Sequence, residues 1–583
     1  MKLEGILHRC GAADCYARNE KELVINIKTN KEITSVVLVQ EDPYVNGISG
    51  RIPWTGVPQI MQLSLEQKEY FVWTAVVSPK FKRLQYYFEV ISGEEKRILM
   101  EDGIYTEQEL LLDGLMKQYF KYAWMNPSDL YRAPQWVENT FWYQIIPDRF
   151  CRIAQASDNR KLADWENTAD MEYNQFYGGN LRGITSKLPY LYELGINGIY
   201  LTPIFESPSD HKYNTTDYLK ISSDFGTDRD FRELVEKAHA SGIKVMIDAV
   251  FNHCGCDFFA WKDVIKHGKA SRYYDWFFIQ KENFGGEEKT KDGRYFSFAF
   301  EAQMPKLNTN HPEVAGYFCR VCKEWIAKWD VDGIRFDVGN EIAHSFIRRL
   351  REELKAVKPE LFLLGEIWHD AGPWLGGEEY DSVMDYPYME TIHNFFVNKG
   401  WSARDFMYQM NRCYSLYTSM VNRVLFHFLD SHDVGRVFSR CGNEDVFFQQ
   451  MALLVTMTGT PCILYGTEIA MEGKCGPYNR KPMAWDKLQN GEPGQIYQEV
   501  RALIWLRRKY NDTLKKGDIR WQITRKRFLC YERPGEDTIT VYLNAEKESW
   551  QLPPFYGEIL YARKYSEKVL APDGTLIVRR KAE

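Results

Sequence analysis

At 583 residues the chain exceeds what one hydrophobic core supports, and it predicts about two to four domains. Hydrophobic residues at 44% and charged residues at 26% are those of a soluble globular protein, and a formal net charge of −6 argues against a general nucleic-acid or membrane-surface role. Function must therefore reside in a local site. Aromatic residues reach 15%, which would suit stacking on sugar rings, but large cores use the same residues and composition alone favours packing.

The N-terminal stretch MKLEGILHRCGAADCYARNE lacks the apolar segment of a secretory signal, and no later run approaches the ~18 apolar residues of a membrane span. The 12 cysteines are scattered and form no disulfide framework, so a reducing, cytoplasmic location is expected. The pairs HCGC (253–256) and CRVC (319–322) have no matching second pair at zinc-ligand spacing, and they read as small buried hydrophobes.

Three textures follow in chain order. Over residues 1–130 apolar residues alternate, as in Leu23, Ile25, Ile27 and Leu84, Tyr86, Phe88, Val90, which predicts an antiparallel β domain. From 140 to 510 short apolar runs alternate with helical periodicity. FWYQIIPDRF, NGIYLTPIF, IKVMIDAVFNH, DGIRFD, LFLLGE, YDSVMDYP, RVLFHFLDSHD and TPCILYG supply about eight strands, the number of a (β/α)₈ barrel. Residues 516–583 alternate again around RPGEDT and APDGT turns and predict a small β-sandwich.

Four of the barrel runs end in ionisable residues: Asp248 with Asn252 and His253, Arg335 with Asp337, Glu366, and His432 with Asp433. Any one carboxylate there could be a helix cap, but four at the C-terminal ends of barrel strands point to an active site. Arg335 and Asp337 are two apart on a strand and share a face, so the guanidinium is expected to hold Asp337 ionised, as a nucleophile requires. Glu366 follows LFLLG and is expected to be partly desolvated with a raised pKa, as an acid catalyst requires. The alternative is a structural Arg335–Asp337 ion pair, which the added presence of Glu366 and Asp433 disfavours.

DAVFNH (248–253), GIRFDVGNE (333–341), GEIWHDAGPW (365–374) and FLDSHD (428–433) resemble the four signature segments of the α-amylase superfamily of glycoside hydrolases. MPKLN (304–308) resembles the marker of its neopullulanase, cyclomaltodextrinase and maltogenic amylase branch. The resemblance implies a (β/α)₈ TIM barrel over 129–515 with an insertion at 254–305, an N-terminal β-sandwich over 1–128 that binds carbohydrate or dimerises, and a C-terminal β-sandwich over 516–583. It also implies a retaining hydrolase of α-1,4 and some α-1,6 bonds in cyclodextrins, maltodextrins, pullulan or starch, with transglycosylation, working as a homodimer through the N-terminal domain.

By the same resemblance Asp337 is the nucleophile, Glu366 the general acid/base and Asp433 the transition-state stabiliser. Arg335, His253 and His432 would bind the sugar at the cleaved bond with Asp248 supporting them and Tyr213 stacking on it, Glu341 would contact the substrate, and Trp374, Phe298 and Phe300 would contact flanking glucose units, although plain packing is an equal reading for each phenylalanine. The chain departs from the family pattern at Asn180, Asn214 and Thr467, each at a usual Asp position, and in the loop CRIAQASDNR (151–160). A hard cation wants several oxygen ligands, preferably anionic, so no metal or cofactor is expected and structural calcium is disfavoured. Two other readings share the resemblance: a glucan-remodelling or sugar-phosphate-using glucosyltransferase, and a non-catalytic carbohydrate-binding paralogue.

Overall fold

The structure, a computed structural model, describes residues 1–48, 53–112, 117–154, 160–169, 171–286, 288–474, 476–489 and 494–581. It divides into two compact units. The smaller comprises Met1–Arg132 with Leu375–Gly377 and Trp401–Asn422. Strand Leu23–Asn30 pairs with Cys15–Ala17 and Tyr70–Val77, and Tyr70–Val77 pairs with Gln62–Glu66 to complete one antiparallel sheet. A second antiparallel sheet is built around Ser35–Glu41 and Leu84–Ser92. The residues that alternate in the sequence, among them Ile25, Ile27, Tyr86, Phe88 and Val90, bury their inward faces in one core. Helix Ala403–Leu416 also belongs to this unit. Its Asn411 donates to Glu66 O at 2.8 Å, and Gln67 donates to Ser415 Oγ at 2.7 Å.

The larger unit holds an eight-stranded parallel sheet: β1 Trp142–Ile145, β2 Gly198–Leu201, β3 Lys244–Ala249, β4 Gly333–Phe336, β5 Phe362–Gly365, β6 Ser382–Val383, β7 Phe426–Phe428 and β8 Thr460–Leu464. Neighbours run 6-5-4-3-2-1-8-7, and a parallel bridge between Met384 and Phe426 joins the two ends into a barrel. All eight runs read from the sequence supply one strand each. The strands are buried along their length, which is why they read as continuous apolar runs.

The intervening helices start where local chemistry allows. Thr227 and Asp230 form a capping box for helix Asp228–Ala240, and His311 with Pro312 opens helix Pro312–Trp329. The segment between β5 and β6 carries only a 3₁₀ turn at Gly372–Trp374, so the βα alternation is incomplete there. The insertion after β3 packs around Trp261, Phe277 and Tyr295. The C-terminal residues form a six-stranded antiparallel sheet centred on Asp537–Asn544 and Val569–Lys581.

Candidate active site

Parallel register sets Asp248 on β3 directly beside Arg335 on β4. Arg335 Nη1 donates to both Asp248 oxygens at 2.9 Å and to Asp337 Oδ1 at 2.8 Å, and its Nη2 lies 2.9 Å from Glu366 Oε2. One fully buried guanidinium thus serves three carboxyl groups. Glu366 stands one residue beyond β5, where Gly365 admits the Tyr380 ring; a Cβ at 365 would come within 2.5 Å of it. Val338, next to Asp337, donates its N–H to Glu366 Oε2 at 2.8 Å, and Trp368 Nε1 donates to Oε1 at 3.0 Å.

The second half of the site comes from β7. Gln144 of β1 donates to His432 Nδ1 at 2.6 Å, which leaves the proton on Nε2, 3.1 Å from Asp433 Oδ2. The Tyr213 hydroxyl touches the same Nε2 and donates to Asp248 Oδ2 at 3.0 Å, so one hydrogen-bonded chain links β1, β3, β7 and the loop after β2. Tyr200 donates to the same Asp248 oxygen at 2.6 Å. Arg480 reaches Asp433 Oδ1 at 3.3 Å and donates to His432 O at 2.8 Å.

Burial dominates the protonation of these groups. It lowers His432 well below the ordinary imidazole value and His253 to about 3, so both imidazoles are neutral near pH 7. Burial also pushes Asp337 well above the usual carboxylate range, by more than Arg335 brings it down, and Glu366 and Asp248 add to the rise. This corrects the expectation that the Arg335 guanidinium holds Asp337 ionised. Burial raises Asp248 as well, so the two aspartates that share Arg335 both hold a proton more tightly than free carboxyls do.

Ten of the twelve residues named from the sequence gather here. His253 stacks on Phe298 with centroids 4.8 Å apart, and its Nε2 donates to Tyr213 O at 3.1 Å. Glu341 lies at the exposed edge, paired with Lys306 at 2.9 Å, and Lys306 also contacts Asn252. Two aromatics differ from expectation. Trp374 is only 8% exposed and stacks on His344, so its ring is used in packing; Trp368, 46% exposed and stacked on Tyr386 at 3.7 Å, is the indole that Glu366 meets. Phe300 follows the left-handed Ala299 and lies under Lys291, 5.8 Å from Nζ.

Sequence reasoning also missed Arg480, Gln144 and Tyr200. Two of these lie on apolar strands and the third in a distant loop, with no local signal. At the departures from the family pattern, Asn214 accepts from Ser207 at 2.7 Å, Thr467 donates to Asp430 at 3.0 Å, and Asn180 caps helix Leu181–Ser186. Of the loop 151–160, residues 155–159 lie outside the described residues. Among the described residues no group of three or more His, Cys, Asp and Glu side chains is arranged to hold a metal, and no helix is long and apolar enough to cross a membrane.

Residues 144–522 match the family model of the α-amylase catalytic domain, and residues 1–126 that of the α-amylase N-terminal Ig-like domain. The chain is 39% identical over 559 residues to a cyclomaltodextrinase of Geobacillus thermopakistaniensis (strain MAS1), spanning 95% of this chain and 93% of that one. It is 38% identical over 557 residues to a maltogenic α-amylase of Bacillus acidopullulyticus, spanning 94% and 93%. A solved cyclomaltodextrinase structure superposes with a TM-score of 0.88 at 31% identity, covering 100% of this chain and 98% of that one. The chain belongs to the α-amylase family of glycoside hydrolases, in the branch of the cyclomaltodextrinases, maltogenic amylases and neopullulanases.

Proposed function

We propose that the protein hydrolyses α-1,4-glucosidic bonds of cyclodextrins and maltodextrins, and of pullulan and starch, with retention of configuration. The observation that carries this is the single guanidinium of Arg335 held between Asp337 Oδ1 and Glu366 Oε2. It ties one oxygen of each carboxyl and leaves Asp337 Oδ2 for the substrate, while Glu366 Oε1 also accepts from Trp368 Nε1. Asp337 Oδ2 attacks the anomeric carbon, and the glycosidic C–O bond breaks as Glu366, acting as general acid, gives a proton to the leaving oxygen. Water, or a sugar hydroxyl in transglycosylation, then gives its proton back to Glu366 and displaces Asp337.

Asp433, whose two oxygens contact His432 and Arg480, accepts from ring hydroxyls with its remaining lone pairs, and these bonds tighten as the oxocarbenium-like state forms. Neutral His432 and His253 border the same sugar without adding positive charge that would oppose that state. Trp368 borders the leaving-group side and sets which acceptor approaches. The fold is read as a cytoplasmic homodimer acting on α-glucan oligosaccharides and polysaccharides.

Side-by-side product analysis on β-cyclodextrin, maltotriose, pullulan and starch, with the anomer of the first product fixed by NMR, tests the reading. Initial release of the α-anomer is expected. Release of the β-anomer, or product formation only with a sugar-phosphate co-substrate, would overturn it.

A further inference from the structure

The insertion after β3 presents more aromatic surface than the site described so far uses. Ser297 turns its hydroxyl to Thr290 at 2.7 Å, so its neighbours Phe296 and Phe298 project from the other face of the same extended segment. Phe298 is the ring stacked on His253. Phe296, two residues away, is 51% exposed, and its ring pairs with half-buried Phe278 at 5.9 Å and 32°. The backbone holding it is fixed on both sides: Phe296 N donates to Phe278 O at 3.0 Å and Lys306 N to Phe296 O at 3.0 Å. Lys306 in turn reaches Asn252 and Glu341 at the edge of the catalytic cluster. The rings therefore continue outward from His253.

One exposed and one half-buried phenylalanine, on two segments joined by a backbone hydrogen bond, present apolar faces to water with nothing of the described chain covering the outer ring, and such surface usually marks a contact. Here its continuity with the cleft names the occupant. We propose that Phe278 and Phe296 form an outer stacking platform for a glucose unit of a bound α-glucan, beyond the unit that lies against His253 and Phe298. The inference rests on the α-glucan reading above. A pyranose ring offers C–H faces to aromatic rings and keeps its hydroxyls in water, which suits a half-exposed pair. Phe300 is not part of the row, because the left-handed Ala299 and Phe300 (φ 50° and 64°) turn the chain away after Phe298.

The test measures binding of maltotriose and maltoheptaose to the full-length Asp337→Asn protein, which cannot turn over, with and without Phe296→Ala. The platform predicts roughly fivefold to tenfold weaker maltoheptaose binding, unchanged maltotriose binding, and recovery in Phe296→Trp. Equal weakening of both sugars, no weakening of either, or a changed sedimentation coefficient with chain-length dependence intact would overturn it. If the Asp337→Asn protein binds neither sugar, the α-glucan reading itself fails and the platform with it; binding of both with no effect of Phe296→Ala removes the platform alone.

Discussion

The main-chain N–H of Val338 donates to Glu366 Oε2 at 2.8 Å from a left-handed backbone, φ 48° and ψ 44°, that a β-branched residue rarely adopts. The turn that ends β4 thus spends conformational strain on aiming a donor at the carboxyl of β5. Strain of this kind persists where the surroundings over-determine it, and it clusters at working sites.

Val338→Gly tests that account. Glycine removes a strain of on the order of 1–3 kcal/mol but gives back about 0.5–1 kcal/mol of unfolded-state freedom. The variant is expected to be more stable by about 1 kcal/mol in denaturant unfolding, and less active because the tether of Glu366 loosens. A clear loss of stability would contradict it.

Much of this site was legible because strands buried on both faces have no reason to carry charge. Asp248, Arg335, Asp337 and Glu366 break such runs at the strand ends, and alternation alone placed Arg335 and Asp337 together. What the sequence hid depends on three-dimensional packing. Trp368 and Trp374 sit six residues apart in one loop, and only the rings of Tyr386 and His344 decide which indole is exposed. The rise of Asp337 likewise depends on how completely the fold excludes water, which no local pattern reports. Helix Ala403–Leu416 follows β6 in the chain yet packs with the smaller unit, because Glu66, Gln67 and its own polar face pair there.

The two carboxyls should separate kinetically. Asp337→Asn is expected to fold, since it replaces a buried acid by a neutral isostere, and to lose almost all turnover with every substrate. Glu366→Gln should lose about 10²–10⁴-fold on maltodextrins, yet keep much of its first step on an α-glucosyl fluoride, whose leaving group needs no proton. Equal losses on both substrates would reject Glu366 as the proton donor.

Acid should destabilise the protein through its buried imidazoles. Burial lowers His8 and His211 to about 4 and His253 to about 3 from an ordinary 6.5. Below 6.5 the unfolded chain binds protons that the folded chain refuses, so stability present above that value is lost as pH falls, by up to about 1.4 kcal/mol per unit and group. Raised Asp337 and Asp248 oppose this, because the folded state binds their protons more tightly. His8 is the cleanest probe: it bonds Asn26 O at 2.7 Å and the Tyr86 hydroxyl at 2.9 Å among Phe88 and Phe120. In denaturant titrations from pH 7.5 to 4.5, a span that crosses the unfolded value of 6.5 and stays above the lowered folded ones, His8→Asn should be less stable at neutral pH but show a shallower acid loss. An unchanged slope would refute the assignment.

Chelators should leave the protein unaffected. Asn180 Oδ1 accepts from Gly183 N at 2.9 Å, and its Nδ2 donates to Ile153 O at 2.7 Å and Gly178 O at 3.3 Å. The amide hydrogens take up carbonyl lone pairs that a hard cation would need. EDTA is expected to shift the melting temperature by less than about 1 °C, because no bound ion would be lost from the folded state. Asn180→Asp, which turns an acceptor toward those carbonyls, should be destabilised without calcium and partly restored with it. A large EDTA effect on the unmodified chain would show that an ion binds.

The smaller unit carries the case for a dimer. Among the described residues strand Val57–Ile60 is the edge of its sheet, paired with Ser35–Glu41 alone, and it leaves Ile60 75% and Val57 53% exposed; Ile48 in the preceding loop is 90% exposed. An apolar edge of this kind invites pairing with a second chain unless it is covered. A domain that roofs another subunit's cleft narrows it and favours cyclodextrins and short maltodextrins over starch, whereas a starch-binding module tethered to its own barrel raises local starch concentration. Deleting the N-terminal residues would also strip helix Ala403–Leu416 of its partners Glu66 and Gln67, so a charge on the edge is the better probe. The full-length chain is expected to sediment as a dimer, and Ile60→Lys as a folded monomer whose cyclodextrin-to-starch activity ratio falls. A monomeric unmodified chain, or an Ile60→Lys variant that loses starch activity more than cyclodextrin activity, would favour the tether.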